Sequence, residues 1–224
     1  MLEKNNDVGF VRLEDFMGKA TSIVNAARVS FGKKHNGPLR EQDKKLIQYL
    51  WNNKHTSPFR HVYFTFHIKA PIFVIRQWQK HQVGCSWNEI SGRYVKFDPS
   101  FYSPDTFREV PIGSVKQGSG ESIYAEDQSI AKAIYDQSID DAYQAYEALL
   151  SLNICREQAR MILPLSLFSE CYWSCSLQAI IHFLKLRLAH DAQSEIRSYA
   201  YEVKEILEKD HEMKYILEIA LNES

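Results

Sequence analysis

Apolar and polar residues alternate most clearly at positions 62–69. The apolar members of this segment are Val62, Phe64, Phe66 and Ile68. Because successive side chains of a β-strand point to opposite faces of a sheet, the alternation predicts a strand with one face on the core. Residues 8–16 favour β-structure and predict a short strand followed by a turn. The aromatic residues 168–175 predict a strand or a buried extended segment.

Apolar residues at helical spacing recur through most of the remaining chain. Leu46, Ile47, Leu50 and Trp51, for example, fall on one face of a helix. The same criterion predicts helices over residues 20–29, 39–53, 72–81, 130–152, 155–162, 177–188 and 192–207. Val29 and Ile134 are among the residues expected to face inward. Ser176 is placed to cap the helix that starts at residue 177.

One stretch departs from both patterns. Residues 108–128 contain few apolar side chains and predict a mobile surface loop, with a lid over a ligand as the alternative. No internal repeat and no long linker divides the chain, so we expect a single domain over residues 1–224. Since helices outnumber strands, the pattern favours an α+β or α/β fold with a single sheet.

Composition narrows the class of protein. The 224 residues are 45% hydrophobic and 25% charged, with a net charge of -1, which gives no general reason to expect nucleic-acid or membrane binding. Residues 1–7 lack the apolar core of a signal peptide, and no apolar run approaches the roughly 20 residues of a membrane helix. The four cysteines form no Cys-x-x-Cys pair and are expected to be reduced thiols. We therefore expect a soluble cytoplasmic protein.

Metal and nucleophilic chemistry have weak support. None of the eight histidines has the spacing of a zinc site, so we expect no metal. Cys85 follows Lys80 and His81, whose positive charge would lower the pKa of its thiol, so a nucleophilic cysteine is an alternative. No Gly-x-Gly-x-x-Gly or Walker loop supplies a standard phosphate cradle.

Anion binding has better support, at positions 76–94, which read RQWQKHQVGCSWNEISGRY. This run combines cations with hydroxyls and glycines, at Arg76, Lys80, His81, Arg93, Ser86, Ser91, Gly84 and Gly92. A guanidinium group matches the geometry of a phosphate, and glycines allow a ligand to approach the backbone. Glu89 and Asn88 add an acceptor and an amide that can bind an imide or a ribose. The alternative is a charged, solvated face.

The same run resembles the signature of the flavin-dependent thymidylate synthases. That signature is Arg-His-Arg, seven or eight residues, then Ser, within a wider Arg-Gln-Trp … Ser-x-Asn-Glu-x-Ser-x-Arg-Tyr. Here RQW stands at 76–78, KHQ at 80–82, and SWNEISGRY at 86–94 matches throughout. Similar segments occur at 26–31 (AARVSF), 55–59 (HTSPF), 64–71 (FTFHIKAP), 159–165 (ARMILPL), 182–187 (HFLKLR) and 192–196 (AQSEI).

The resemblance implies an activity and a fold. It implies reductive methylation of dUMP to dTMP, with methylenetetrahydrofolate as carbon donor, NADPH as reductant and FAD as cofactor, and without a protein nucleophile. It also implies an α+β domain with a mixed or antiparallel sheet flanked by helices. The expected assembly is a homotetramer with intersubunit active sites, whose partners are dUMP, NADPH and folate rather than nucleic acid or membrane.

The resemblance also assigns residues by position. For dUMP they are Gln77, Glu89, Ser91, Gly92, Arg93, Arg160 and Arg187. For FAD they are Ser30, His55, Ser57, Lys80, His81, Gln82, Glu89, Ser176, His182 and Asp191. Arg187 and Ser91 are the catalytic pair; a fixed guanidinium stabilises charge on the pyrimidine carbonyls without giving up a proton.

Four positions depart from the family pattern. Lys80 and Gln82 replace two arginines, Ser176 stands where Asn is frequent, and Asp191 stands where His is frequent, although His190 is adjacent. We expect weaker or differently shaped flavin and folate contacts with the chemistry retained. The alternatives are a relative that makes another modified deoxyuridylate, such as a hydroxymethyl product, and a catalytically inactive nucleotide-binding relative.

Overall fold

The computed structural model describes residues 3–4, 8–97, 99–112 and 118–222. The strands are β1 (Glu3–Lys4), β2 (Phe10–Met17), β3 (Tyr63–Pro71), β4 (Cys85–Glu89), β5 (Ser100–Phe101) and β6 (Phe168–Ser176). The helices are α1 (Ala20–Arg28), α2 (Glu41–Asn52), α3 (Ile72–Trp78), α4 (Ala125–Ser151), α5 (Arg156–Ala159), α6 (Leu177–Arg187), α7 (Ser194–Glu208) and α8 (His211–Leu221). Short 3-10 helices cover Val29–Phe31, Ser57–His61 and Arg160–Ile162.

The main sheet is antiparallel and has the strand order β2-β3-β6-β4, with helices flanking it. A separate two-stranded sheet pairs β1 with β5 in parallel. This arrangement confirms the α+β class with an antiparallel sheet. The alternation in β3 also has the predicted outcome, because Phe64, Phe66 and Ile68 are buried. Likewise the Ser176 hydroxyl caps α6 by accepting a hydrogen bond from the Ala179 amide at 3.3 Å.

Two backbone hydrogen bonds define the register between β4 and β6. The Ser176 amide donates to the Gly84 carbonyl at 3.2 Å, and the Ile90 amide donates to the Glu170 carbonyl at 2.9 Å. Gly84 and Ile90 are six positions apart in sequence, and so are Glu170 and Ser176. The two strands therefore pair between these bonds without a bulge. Trp87 therefore lies opposite Trp173, and their rings stack with centroids 5.7 Å apart.

The chain divides into two compact units. Unit 1 contains Met1–Phe10, Ile68–Gln77 and Asn88–Cys171, and unit 2 contains Val11–His67, Trp78–Trp87 and Tyr172–Ser224. The unit boundaries fall within β2, β3, α3, β4 and β6. The expectation of one domain over residues 1–224 stays a prediction.

Each unit has its own apolar core. In unit 1 the core centres on Phe101, Ile139 and Leu167, which join α4 to the segment before β6. In unit 2 it is aromatic: the Trp78 ring stacks on Phe183 at 4.7 Å and meets Trp173 edge-on at 5.2 Å.

Several sequence-based expectations were wrong in detail. Strand β4 was not predicted, because Trp87 is the only large apolar residue among its five positions. Helix α8 was also missed; it starts where the Asp210 carboxylate accepts hydrogen bonds from the Glu212 and Met213 amides. Val29 and Ile134, expected inside, are 70% and 65% exposed in the single chain.

The segment predicted as a loop, residues 108–128, is only partly described. Residues 113–117 lie outside the described part, and α4 already begins at Ala125, so the last four positions are helical. Arg108 and Ser122 form an isolated antiparallel bridge. Mobility of this segment stays a prediction. Within the described ranges, no helix combines the length and the apolar character needed to cross a membrane.

A buried carboxylate joins α1 to α2 in unit 2. Asp43 has no exposed surface, and it pairs with Arg28 at 2.6 Å and with the Arg40 Nε at 3.0 Å. The Arg40 amide also donates to it at 3.0 Å, which caps α2. These hydrogen bonds hold the pKa of Asp43 well below its usual range. The largest effect comes from the hydrogen bond of the Arg40 side chain.

We expect Asp43→Asn to lower the free energy of unfolding by about 3 kcal/mol, because two guanidinium groups lose their charged partner. Glu41→Gln is the matched control, since the Glu41 carboxylate is exposed and pairs only with Lys44 among the described residues. Its change should stay below about 0.5 kcal/mol. Urea unfolding of both variants at pH 7 measures the difference. Equal losses of unfolding free energy in the two variants would contradict a stabilising role of the buried Asp43 cluster.

Candidate active site

The predicted site residues divide between the two units. Unit 1 contains Gln77, Glu89, Ser91, Gly92, Arg93 and Arg160. Unit 2 contains Ser30, His55, Ser57, Lys80, His81, Gln82, Ser176, His182, Arg187 and Asp191.

In unit 1, four of the predicted residues line one cavity of about 720 Å³, which we call the Ser91 pocket. Its lining residues are Ile72, Glu89, Ile90, Ser91, Arg93, Tyr94, Phe97, Glu157, Arg160, Met161, Leu163 and Leu167. Two guanidinium groups, two hydroxyls and two carboxylates thus share one cavity with apolar walls. Such a cavity suits an anion joined to a flat, partly apolar group.

A tight turn shapes one wall of the Ser91 pocket. The Arg93 amide donates to the Ser91 hydroxyl at 3.3 Å, and the Tyr94 amide donates to the Ser91 carbonyl at 2.9 Å. Between them, Gly92 is buried, and a Cβ atom there would overlap the ring of Phe97. A side chain at position 92 would therefore require the Phe97 ring to move.

One of the two acids of the pocket, Glu89, is held by a residue that the sequence did not reveal. Ser169, which is buried on β6, donates its hydroxyl to the Glu89 Oε1 at 2.7 Å. Burial, with a smaller effect of Glu89, raises the pKa of the nearby Cys171 thiol to about 12, so that thiol stays protonated. The hydrogen bond from Ser169 orients the Glu89 carboxylate, which can accept a further hydrogen bond.

In unit 2, Ser30, His55 and Ser57 line a second cavity of about 720 Å³, which we call the Ser30 pocket. The pocket is lined by Ala26, Ala27, Arg28, Ser30, Phe31, Leu46, Tyr49, Leu50, Lys54, His55, Thr56, Ser57, Pro58 and Arg60. Sequence reasoning missed its three cations, although Arg28 lies within the AARVSF segment and Arg60 directly follows HTSPF. Hydroxyls and cations together are the donors that bind phosphate groups.

A third cluster, also in unit 2, joins His81, His182 and Arg187. The Arg187 Nε donates to the His81 Nε2 at 3.0 Å, and the rings of His81 and His182 have centroids 5.8 Å apart. Burial, then Arg187 and His182, lowers the pKa of His81 to about 4. His81 is therefore neutral at pH 7, and because its Nε2 accepts a hydrogen bond, its Nδ1 carries the proton.

The remaining predicted residues lie apart from these clusters. Lys80, Gln82 and Asp191 are exposed, and they line neither the Ser91 pocket nor the Ser30 pocket. Gln77 is half-buried and does not line the Ser91 pocket either. The buried Ser176 already uses its hydroxyl as the cap of α6. The roles assigned to them stay predictions.

The structure changes the reason for the acidity of Cys85. The pKa of its thiol is lowered to about 7, but the main cause is a hydrogen bond with the Cys175 thiol, not Lys80 or His81. Among the described residues, no group of three or more His, Cys, Asp and Glu side chains is arranged to hold a metal ion.

The neutral state of His81 predicts a pH dependence. As the pH falls from about 6.5 towards 4, an unfolded chain protonates this histidine while the native protein does not. The free energy of unfolding should therefore drop by roughly 1–2 kcal/mol between pH 7 and pH 5 through this group. His81→Gln keeps an acceptor for Arg187 but does not titrate. Urea unfolding at both pH values should show a smaller drop for this variant, and equal drops would contradict the assignment.

Comparison with known proteins identifies the family of this chain. Residues 12–211 match the family model described as thymidylate synthase complementing protein. A flavin-dependent thymidylate synthase of Thermus thermophilus is 49% identical over 203 residues, which cover 91% of this chain and 73% of that protein. One from Thermosipho melanesiensis is 43% identical over 204 residues, covering 91% and 87%.

A solved structure is similar over almost the whole chain. It is the UMP/dUMP methylase PolB from Streptomyces cacaoi, bound with 5-Br UMP. Its TM-score is 0.84 at 30% identity, with 97% of this chain and 95% of that chain covered. Sequence and fold therefore agree, and the chain belongs to the family of flavin-dependent thymidylate synthases.

Proposed function

We propose that this protein methylates dUMP to dTMP, taking the carbon from methylenetetrahydrofolate and the electrons from NADPH by way of bound FAD. The observation that carries the proposal is the Ser91 pocket, where Glu89, Ser91 and Arg93 of the family signature share a cavity with Arg160. The active form is a homotetramer whose sites combine residues of several chains.

The chemistry of the Ser91 pocket fits a nucleoside monophosphate. Arg93 and Arg160 supply the charged donors that a phosphate dianion requires, and the Ser91 hydroxyl adds a further donor. Glu89, fixed by Ser169, can accept an N–H or O–H of the base or the sugar. The similar methylase PolB, by its description, acts on UMP and dUMP, which agrees in substrate class.

The donor set of the Ser30 pocket fits the phosphate-bearing part of a flavin nucleotide. Arg28 is held in place by Asp43, and Lys54 and Arg60 add two cations beside the hydroxyls of Ser30 and Ser57. Bound FAD supplies the hydride chemistry that no side chain of the protein can perform. The protein binds it, orients it and limits access of water.

Arg187 is the residue proposed to act on the pyrimidine ring. A guanidinium stabilises negative charge that develops on a carbonyl oxygen, and it keeps its proton while doing so. Neutral His81 accepts from the Arg187 Nε and so fixes the plane of the guanidinium without adding a second charge. We assign His81 as a positioning residue and Arg187, with Ser91, as catalytic.

The activity is tested by a visible absorbance spectrum and by NADPH oxidation with methylenetetrahydrofolate, with and without dUMP. We expect flavin absorbance, dUMP-dependent turnover and a product heavier than dUMP by one CH2 group. A product heavier by CH2O would instead indicate hydroxymethylation. A colourless protein that takes up no FAD would indicate an inactive relative.

Arg160→Ala tests the Ser91 pocket. Losing a charged hydrogen bond to phosphate should raise the KM for dUMP by about 10- to 100-fold. Arg156→Ala is the control, since Arg156 lies one turn earlier on α5, is exposed and does not line the pocket. The same rise in both variants would contradict the assignment of Arg160.

Gln82→Arg tests the departure from the family signature. If position 82 faces the flavin, the added guanidinium should tighten FAD binding by about tenfold, as expected for one charged contact. Val83→Arg is the control, because it adds the same charge one position away on an exposed residue. FAD titration of the apoprotein measures both affinities. Unchanged or equally changed affinities would place residue 82 away from the flavin.

A further inference from the structure

Cys85 and Cys175 face each other across the pairing of β4 with β6. The bonds from the Ser176 amide to the Gly84 carbonyl and from the Ile90 amide to the Glu170 carbonyl fix the register. In this register Cys85 is directly opposite Cys175. The pair sits between two hydrogen-bonded positions, so it is a non-hydrogen-bonded pair of the antiparallel ladder.

A non-hydrogen-bonded pair has the spacing that a disulfide needs. The Cα atoms of such a pair lie about 4.5 Å apart, at the short end of the range of about 4.4–6.8 Å found for disulfides. The next pair on the same face, Trp87 and Trp173, stacks at 5.7 Å, which shows that side chains meet across the strands here. No change in register is needed to join the two sulfur atoms.

The two thiols differ in environment. Cys85 is partly exposed, whereas Cys175 has no exposed surface. A hydrogen bond with Cys175 lowers the pKa of Cys85 to about 7, and burial raises the pKa of Cys175 well above its ordinary value. Cys85 therefore ionises first and is the accessible nucleophile, while Cys175 stays protonated beside it.

We propose that Cys85 and Cys175 form a redox-active dithiol that hydrogen peroxide converts to a cross-strand disulfide. This dithiol does not depend on the proposed methylation of dUMP, because that reaction uses no protein nucleophile. Among the four cysteines, Cys155 is exposed and Cys171 lies opposite Glu89 in the same register. Neither of them faces another thiol in this ladder.

The oxidation balances in two steps. The Cys85 thiolate attacks one oxygen of hydrogen peroxide, the O–O bond breaks, and the departing hydroxide takes a proton from solvent, which leaves a sulfenic acid and water. The Cys175 sulfur then attacks the Cys85 sulfur; the S–S bond forms, the S–O bond breaks, and the thiol proton leaves with hydroxide as a second water. Two thiols lose two electrons and two hydrogens, and one peroxide becomes two waters.

The cross-link would join two segments next to the candidate site. Cys85 follows the exposed Gln82 and Val83, and Cys175 precedes Ser176, the cap of α6. Helix α6 carries His182 and Arg187. Because Cys85 is partly exposed, a thiol reagent can reach the cross-link, so dithiothreitol should reverse it by thiol–disulfide exchange.

The test uses the full-length protein with Cys155→Ser, which removes the exposed thiol. This parent protein is treated with hydrogen peroxide under non-denaturing conditions. We expect two of the three remaining thiols to be lost, a peptide map that shows Cys85 joined to Cys175, and recovery with dithiothreitol. Cys171→Ser, the matched control on β6, should leave the cross-link unchanged. Cys85→Ser should leave Cys175 as a free thiol.

A second measurement assigns the order of reaction. In Cys175→Ser, which lacks the resolving thiol, dimedone should label Cys85 as a trapped sulfenic acid, with several-fold more label than in the parent protein. A peptide map of the parent protein without the Cys85–Cys175 link would overturn the proposal. So would a Cys175→Ser protein in which Cys85 carries no more dimedone than the parent.

Discussion

The packing of three aromatic rings in unit 2 sets the geometry of the pair formed by His81 and Arg187. Trp78 ends α3, Trp173 lies on β6 and Phe183 lies on α6, and their centroids are 4.7–5.3 Å apart. His81 follows Trp78 by three residues and meets the Phe183 ring edge-on at 5.2 Å. Arg187 lies one helical turn after Phe183, on the same face of α6. Since close-packed interiors allow little rearrangement, fixing these rings also fixes the hydrogen bond between Arg187 and His81.

That bond has a consequence for charge. A buried histidine beside an arginine cannot be protonated without placing two positive charges together in a poorly solvated site. The apolar rings that position His81 therefore also keep it neutral, and Arg187 remains the cation of the pair. In the Ser91 pocket the orienting partner is also neutral, because the buried Ser169 hydroxyl donates to the Glu89 carboxylate. In both clusters a neutral partner orients the charged group that is proposed to meet the ligand.

The sequence predicted elements whose signal is local. The alternation in β3 and the cap at Ser176 are set by neighbouring residues, and both were found as predicted. Strand β4 was missed because its partner, β6, lies some 85 positions away and half of its side chains are polar. The same limit applies to the site: the Arg187–His81 bond spans 106 positions and the Ser169–Glu89 bond spans 80. Residue types in one short run identified the family signature, but only the fold shows which side chains orient it.

The three residues at 80–82 show how such a signature divides into buried and exposed parts. Lys80 and Gln82, which differ from the Arg-His-Arg pattern, are exposed, whereas the retained His81 is buried against Phe183 and hydrogen-bonded to Arg187. A change at an exposed position alters a contact with solvent or ligand. A change at the buried position would disturb the packing that orients Arg187. The two differences from the signature thus fall at exposed positions, where they leave the packing that orients Arg187 unchanged.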